Sequence, residues 1–535
     1  GKYNISSEID RYKNVTRSDV MRVFNKYIKN RKCVINSVKP KSPFTDKLDS
    51  LISVNPNANL ILEEDPQYDN LIYNRANGEF DICCRAKQPE ATEPKMPNIP
   101  EYHTEAFSNG LKTIFSQTRE VPKVYIRLKI NGGSLLENSK NVGVADLTAQ
   151  MMNESTLNKS SELISSELQK LGSTISFSSD ADMTIMYIES LTENLEKTLK
   201  IAEEKLLSPG FSEADFKRIK KSNLEGLESM KKNSNYLAQR SMAQILFGDS
   251  PYGRSMSEKS MKKIKLKDVK TYYNNYSPNV SELIAVGNIS KDEFYSRIEF
   301  LKSWENKNIS LPNNFNFPDD APTQIYLLDK EGATQSFILM GHRSDTYDVD
   351  GINFKSKIMN KSLGGGASGR LFLNLREDKG YTYGAYSSFR SGKNTGLFAI
   401  QTSVKTEVTD SALSEIFNIL DNYTSDGLTN DELLSTKKSF LNSASLKYET
   451  PNQKLGFLNR VLTYNLERTY VSRQSNVLNS ITRNEINTLA KTQIKTGKMA
   501  IVIVGNKYLI KKKLANLKSS KDGMSYNFKI NEIKY

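Results

Sequence analysis

The side chains best placed to do chemistry lie in residues 363–389, LGGGASGRLFLNLREDKGYTYGAYSSF. The triple glycine invites a phosphate-binding reading, but the run lacks the Lys-Ser/Thr that completes a P-loop and is not a G-x-G-x-x-G. Close approach of another backbone, or the geometry of helix entry, accounts for the glycines better. Beyond them, Arg376 and Tyr383 stand either side of Gly380. If a helix-to-strand turn brings them together, a guanidinium and a phenol would offer several donors to a carbonyl oxygen or a developing oxyanion. On the residues alone, the pair could equally be a structural cation–aromatic contact.

The local pattern predicts how the pair is positioned. Ser368 is expected to cap a helix running to about Lys379, with Leu371, Phe372 and Leu375 on its buried face. Arg376, four residues after Phe372, borders that face, and Gly380 ends the helix in the left-handed conformation. In the strand that follows, alternation puts Tyr381, Tyr383, Ala385 and Ser387 on one face and Thr382, Gly384 and Tyr386 on the other.

Other chemistry is sparse. Among 535 residues there are two histidines, His103 in a proline-rich linker and His342 after an apolar strand-like run. Neither has a ligand neighbour at metal-binding spacing, which argues against a His-based metal site confined to this chain. Three cysteines, Cys33, Cys83 and Cys84, cannot build a disulfide framework and read as buried thiols. The net charge of +14 favours anionic partners. The basic residues are nevertheless spread out, with only short clusters such as 511–513, so no nucleic-acid partner is expected. No run approaches the roughly 18 apolar residues of a membrane span. Residues 1–11 are polar, without a signal-peptide core.

The chain repeats itself. GFSEADFK at 210–217 matches GLTNDELL at 427–434, and each is followed by Lys-Lys-Ser, at 220–222 and 437–439. Ile264-Lys-Leu-Lys-Asp-Val269 matches Ile481-Thr-Arg-Asn-Glu-Ile486 at the same offset of 217 residues, and both precede an apolar strand, at 283–287 and 500–505. A shared offset turns two weak matches into one signal. Val15-Thr-Arg-Ser-Asp-Val20, with a helix through Tyr27 and a strand at 33–38, reads as the tail of a third copy. A connector rich in Pro, Asn and Asp follows. Strands are expected at 123–131, 323–328 and 335–340, and helices at 160–171, 192–207, 412–423 and 430–447. Strands and helices mix without strict alternation, which predicts α+β domains with helices packed on a largely antiparallel sheet.

The motifs in order, LGGG, SGRLF, LREDKG and TYG, resemble the second domain of the pitrilysin/insulinase metallopeptidases, whose zinc motif is an inverted H-x-x-E-H. LFGDSPYGR at 246–254, NGLK at 109–112, NGGSLLE at 131–137 and AVGN at 285–288 extend the likeness over about 100–535. The resemblance implies a fold of tandem homologous domains forming one half of a clamshell. It divides the chain into the tail of a preceding domain (1–40), an inter-half linker (41–100), a degenerate peptidase-like domain (101–315) and a second domain carrying the Arg/Tyr pair (316–535). The zinc motif's position, bracketed by Gly143-Val-Ala and Met151-Met, reads Asp146-Leu-Thr-Ala149-Gln150, with Glu225 near the third ligand's place. By this likeness the chain is the zinc-free half of a peptide-hydrolysing metalloendopeptidase, inactive by itself. Zinc is held by an N-terminal half, covalently joined or separate. Arg376 and Tyr383 would act on the substrate carbonyl, and Gly364, Gly365 and Gly366 would border the substrate. The alternative is a non-catalytic scaffold or core subunit of the same descent. A two-half bacterial member of this kind is expected in the periplasm or cell envelope, with the cytoplasm as the alternative.

Overall fold

In the computed structural model the described residues are 5–31, 99–518 and 523–534, which fall in two units, 1–91 and 92–535. The expected strand at 33–38, all but the end of the 41–100 connector and the three cysteines lie outside the described residues. No helix among the described residues is long and apolar enough to cross a membrane.

In the first unit, helices Ile5–Asn14 and Arg17–Tyr27 follow one another. Thr16 caps the second: its hydroxyl accepts the Asp19 N–H, and the Asp19 carboxylate accepts the Thr16 N–H at 3.1 Å. The same reciprocal device opens helix Arg483–Gln493 with Thr482 and Glu485. At helix Leu266–Tyr273, Asp268 accepts the Lys265 N–H at 2.8 Å. The capping box is thus complete at Thr16 and Thr482, and at Lys265 its acidic half recurs.

The second unit contains two six-stranded sheets. The first has the order β1-β2-β6-β3-β5-β4, from His103–Ala106 (β1), Lys112–Gln117 (β2), Lys123–Asn131 (β3), Thr174–Ser179 (β4), Met183–Leu191 (β5) and Ser281–Gly287 (β6). The second has the order β12-β7-β11-β8-β10-β9, from Gln324–Asp329 (β7), Gln335–Ser344 (β8), Thr382–Ser391 (β9), Gly396–Lys405 (β10), Ala500–Gly505 (β11) and Lys529–Ile533 (β12). Most neighbours are antiparallel; β2–β6, β7–β11 and β7–β12 are parallel. His103, expected in a linker, instead opens β1 opposite Phe115. The expected helix at 430–447 ends at Asn442, where the Ser443 hydroxyl donates to the Phe440 carbonyl and competes with further helix.

Each sheet packs helices against one face. On β3, Val124, Ile126, Leu128 and Ile130 join the core beneath helices such as Val144–Met152 and Leu195–Leu207. On β11, Ile501 and Ile503 do the same beneath Ile352–Gly364 and Thr409–Ser425. The opposite faces are covered by exchange. Helix Ser234–Phe247 lays Leu237, Ala238 and Met242 on Leu339, Val502 and Val504 of the second sheet. Helix Pro451–Thr463, 217 residues further on, lays Leu455, Phe457 and Leu458 on Ile114, Ile284 and Val286 of the first. Both helices leave through a residue of positive φ, Gly248 (φ 58°) and Asn465 (φ 49°). The repeated Lys-Lys-Ser also has a cause. Lys220 Nζ donates to the Lys262 carbonyl at 2.9 Å, and Lys437 Nζ donates to the Asn479 carbonyl at 2.9 Å.

One polar contact locks the exchange. Lys129 on β3, almost wholly buried, pairs with Glu282 on the neighbouring strand and donates to Thr463 Oγ1 at 2.5 Å, at the end of the crossing helix. Phe457 is fully buried among Tyr102, Tyr448 and Tyr470. Phe457→Ala is expected to lower stability by about 3–5 kcal/mol, from lost transfer energy and the cavity left behind. Urea unfolding measures this, and a loss below about 1 kcal/mol would show that the crossing helix is not anchored by this ring.

Candidate functional site

The segment singled out in sequence is built on two backbone irregularities. The helix begins at Arg370 with Gly369 as its cap, not Ser368, which is exposed and makes no cap bond. Glycine is required at this cap, because a Cβ on Gly369 would lie 2.8 Å from Gly364 Cα. The chain then widens into a π-helix, Leu373–Asp378, whose end is marked by Lys379 N donating to the Asn374 carbonyl at 2.9 Å. Such widened turns are frequent at functional sites. Gly380 (φ 62°) closes it in the left-handed conformation, as expected.

The second irregularity is in β9, the edge strand. Ala385 pairs with Thr402 and Thr382 with Val404, so β9 carries one more residue than β10 across this stretch. Thr382 Oγ1 donates to the Ser403 carbonyl at 2.7 Å, and Thr402 Oγ1 donates to the Gly384 carbonyl at 3.0 Å. Simple alternation, which put Tyr383 on the face of buried Ala385 and Ser387, therefore breaks down at the bulge. Tyr383 is 87% exposed.

Arg376 sits inside the π-helix, its guanidinium 4.9 Å from the centre of the Phe372 ring and Nε 3.4 Å from the Glu377 carboxylate. The Phe372 ring lies 5.7 Å from that of Tyr386, and Tyr386 covers Gly384, where a Cβ would come within 2.7 Å of the ring. Arg376 thus rests on a tilted aromatic pair that sequence reasoning did not assign. The i−4 spacing of Phe372 gave one half of it, while the bulge hid Tyr386. No hydrogen bond or ring contact joins Arg376 to Tyr383, and both remain open to solvent.

The three glycines differ. Gly364 is buried at the end of helix Ile352–Gly364, where a Cβ would meet Ser387 Oγ at 2.4 Å; this is close helix–strand packing. Gly365 is exposed and Gly366 half-buried, with the Lys361 ammonium beside them.

The Asp146–Gln150 pair lies on helix Val144–Met152. Gln150 Nε2 donates to Asp146 Oδ2 at 2.7 Å, so the two side chains satisfy each other across one helical turn. Burial raises the Asp146 carboxyl above its usual range. Ala149 is fully buried in the core. Glu225, on helix Glu213–Met230, is 69% exposed beside Lys221. Glu137, which the sequence offered no role, is buried at the start of the Val144–Met152 helix. Its carboxylate accepts the N–H of Gly143 at 3.0 Å and of Ala145 at 2.8 Å. Burial pushes its carboxyl up to about 7, against the pull of those two donors.

Two family descriptions match the chain side by side: Insulinase (Peptidase family M16) over 112–260, and Peptidase M16 inactive domain over 263–440. The chain belongs to the insulinase (M16) family. Among M16 relatives it is 24% identical over 412 residues to the Helicobacter pylori "Non-peptidase homolog YmxG", covering 76% of this chain and 94% of that one. It is 22% identical to the Bacillus subtilis "Uncharacterized zinc protease YmxG", covering 74% and 96%. Among solved structures, an M16 inactive domain from Pseudomonas fluorescens superposes with a TM-score of 0.70 at 25% identity, over 76% of this chain and 98% of that one. The periplasmic protease PqqL from Escherichia coli has the same fold (TM-score 0.65, 14% identity), and there 94% of this chain matches 52% of the other.

M16 members are zinc proteases, but the residues here do not fit the metal. Zinc takes neutral imidazole, thiolate or carboxylate donors converging on one point. At the motif's position one carboxylate is engaged by an amide, the next side chain is a methyl group in the core, and Glu225 points into water. Nor does His342 offer a ligand. It is buried, with Nδ1 2.9 Å from the Arg343 carbonyl and Nε2 accepting the Lys495 N–H at 3.1 Å, which fixes one neutral tautomer.

Burial lowers the His342 pKa from 6.5 to about 4. A histidine held neutral in the fold and free to protonate when unfolded contributes stability that is complete above about pH 6.5. That contribution falls as pH drops from there toward about 4. The chain has only two imidazoles, so NMR resolves both. The His342 ring is expected to stay neutral at pH 5, and titration near 6.5 would contradict its buried bonding.

Proposed function

We propose that this chain is the zinc-free, substrate-binding half of an M16 metalloendopeptidase that hydrolyses peptides. Arg376 and Tyr383 contact the scissile carbonyl and its tetrahedral oxyanion, opposite a zinc site carried by an N-terminal half. The observation that carries this reading is the bulge that turns Tyr383 out into solvent at an edge strand, one turn from an arginine held by a π-helix. β-Bulges and π-turns both interrupt regular backbone pairing and recur at sites of function. The guanidinium and phenol supply donors to developing negative charge, while the Phe372 ring, backed by Tyr386, limits how far the guanidinium can swing. Gly365 and Gly366 form the neighbouring rim along which substrate backbone can run, and Gly364 sets the approach of helix to strand beneath it.

The domain boundaries proposed are 101–315 and 316–535, preceded by a linker and the tail of the N-terminal half. Support comes from exposed Val20 and Phe24 on helix Arg17–Tyr27, whose counterparts Val269 and Ile486 at the first position are fully buried in the other copies. The match of 94% of this chain to 52% of a protein named as a periplasmic protease supports a two-half arrangement and an envelope location for this protein. A second reading, a scaffold without proteolysis, is favoured by the Helicobacter pylori relative, which is named a non-peptidase.

The test is hydrolysis of quenched peptides by the protein with its N-terminal half present, together with zinc content. The 1–535 chain by itself is expected to be inactive. In the complete protein Tyr383→Phe should lower kcat about 100-fold while changing KM less than about threefold, the signature of a donor used in the transition state. Equal kinetics for Tyr383→Phe would remove its role, and a metal-free, inert complete protein would establish the scaffold reading.

A further inference from the structure

A second candidate site lies away from the Arg376 segment. A cleft of about 980 Å³ opens between residues 139–142, helix Ser234–Phe247, the turn before helix Glu258–Lys263, and the β7–β12 edge of the second sheet. It is lined by six cations, Lys140, Arg240, Arg254, Lys259, Lys263 and Lys534, against a single carboxylate, Asp249. Lys140, Arg254, Lys259, Lys263 and Lys534 form no ion pair with a carboxylate of the described residues. The nearby Glu258 is already taken by Lys231 and Lys262. The hydroxyls of Ser139, Ser241 and Ser255 also line the cleft with no hydrogen-bond partner in the described protein.

The fold does not require this charge. The helix-exchange repeat provides an internal comparison at the offset of 217. Where the first copy has Arg240, Arg254, Lys259 and Lys263, the second has Phe457, Val471, Asn476 and Ser480. Phe457 and Val471 are buried there, so the same architecture is built without any of the four cations. Crowding like charges around one concavity raises the energy of the empty protein unless an anion neutralises them. The volume lies in the range of small-molecule sites. Arg240 and Arg254 are held in place by donating to the Met256 carbonyl at 3.1 Å and the Asp249 carbonyl at 2.7 Å. The remaining Arg254 nitrogens, several ammonium groups and the serine hydroxyls suit tetrahedral oxyanions better than planar carboxylates.

We propose that this cleft binds a small polyanion bearing clustered phosphate groups. The proposal is independent of the peptidase reading, because none of its residues belongs to the Arg376 segment. It is tested on the full 535-residue chain by calorimetric titration with inorganic triphosphate, using citrate and hexaglutamate as carboxylate controls. Saturable binding of triphosphate is expected, at least tenfold tighter than citrate and weakened by salt. The double variant Lys259→Gln/Lys263→Gln, which changes two exposed side chains, should weaken it at least tenfold with an unchanged melting temperature in the absence of ligand. The remote pair Lys438→Gln/Lys491→Gln should leave it within twofold. Absence of saturable binding overturns the site, as does equal affinity in the cleft double variant. Equal or tighter binding of citrate or hexaglutamate overturns the phosphate assignment.

Discussion

Two strips of apolar surface, one on the outer face of each sheet, would meet water if either repeat stood alone. Leu339, Val502 and Val504 form one; Ile114, Ile284 and Val286 form the other. Each is covered by a helix belonging to the opposite repeat, and everything else in the unit follows from that mutual dependence. Area removed from water is the main source of stability in any fold. Here a large share of it is available only when both copies are in place. The Lys129–Glu282 pair adds little net stability by itself, since burying ions is costly. It does fix where the crossing helix ends, because only one register brings Thr463 to the ammonium.

Rigid layers allow local departures from regular geometry. The π-helix around Arg376 and the bulge in β9 are separated by one left-handed glycine, and both lie on the solvent side of a core in which Leu371, Leu375 and Ala385 are fully buried. The core holds the ends of the segment; the irregular turns aim what lies between them. Glycine serves this arrangement by admitting contact: Gly364 and Gly369 let helix, turn and strand approach to distances at which any side chain would clash.

Much of this was legible in the residues. The constant offset predicted the tandem copies, and the structure repeats it down to capping pairs and to the Lys220 and Lys437 hydrogen bonds. The alternating strand at 123–131 and the wholly apolar strand at 500–505 were found at those positions because both patterns need only neighbouring residues. What escaped were features set by pairing across the sheet. The bulge at Tyr383 depends on the register with β10, which no local pattern records, and the cap at Gly369 sits against Gly364, an approach that appears only once the glycine turn is folded. The helix exchange likewise leaves no local trace, since Leu455 and Phe457 look like the core face of any amphipathic helix. His103 was misplaced for a related reason: proline-rich sequence before it masked an edge strand that needs only one partner.

The Asp146–Gln150 hydrogen bond makes the present state of that helix hard to leave by single steps. Replacing either residue with histidine gives up this amide–carboxylate bond, and the imidazole or water must then meet the remaining half-buried polar group. Introducing a carboxylate at Ala149 drives charge into a filled core. Two side chains that close on each other thus leave this turn of the helix chemically silent.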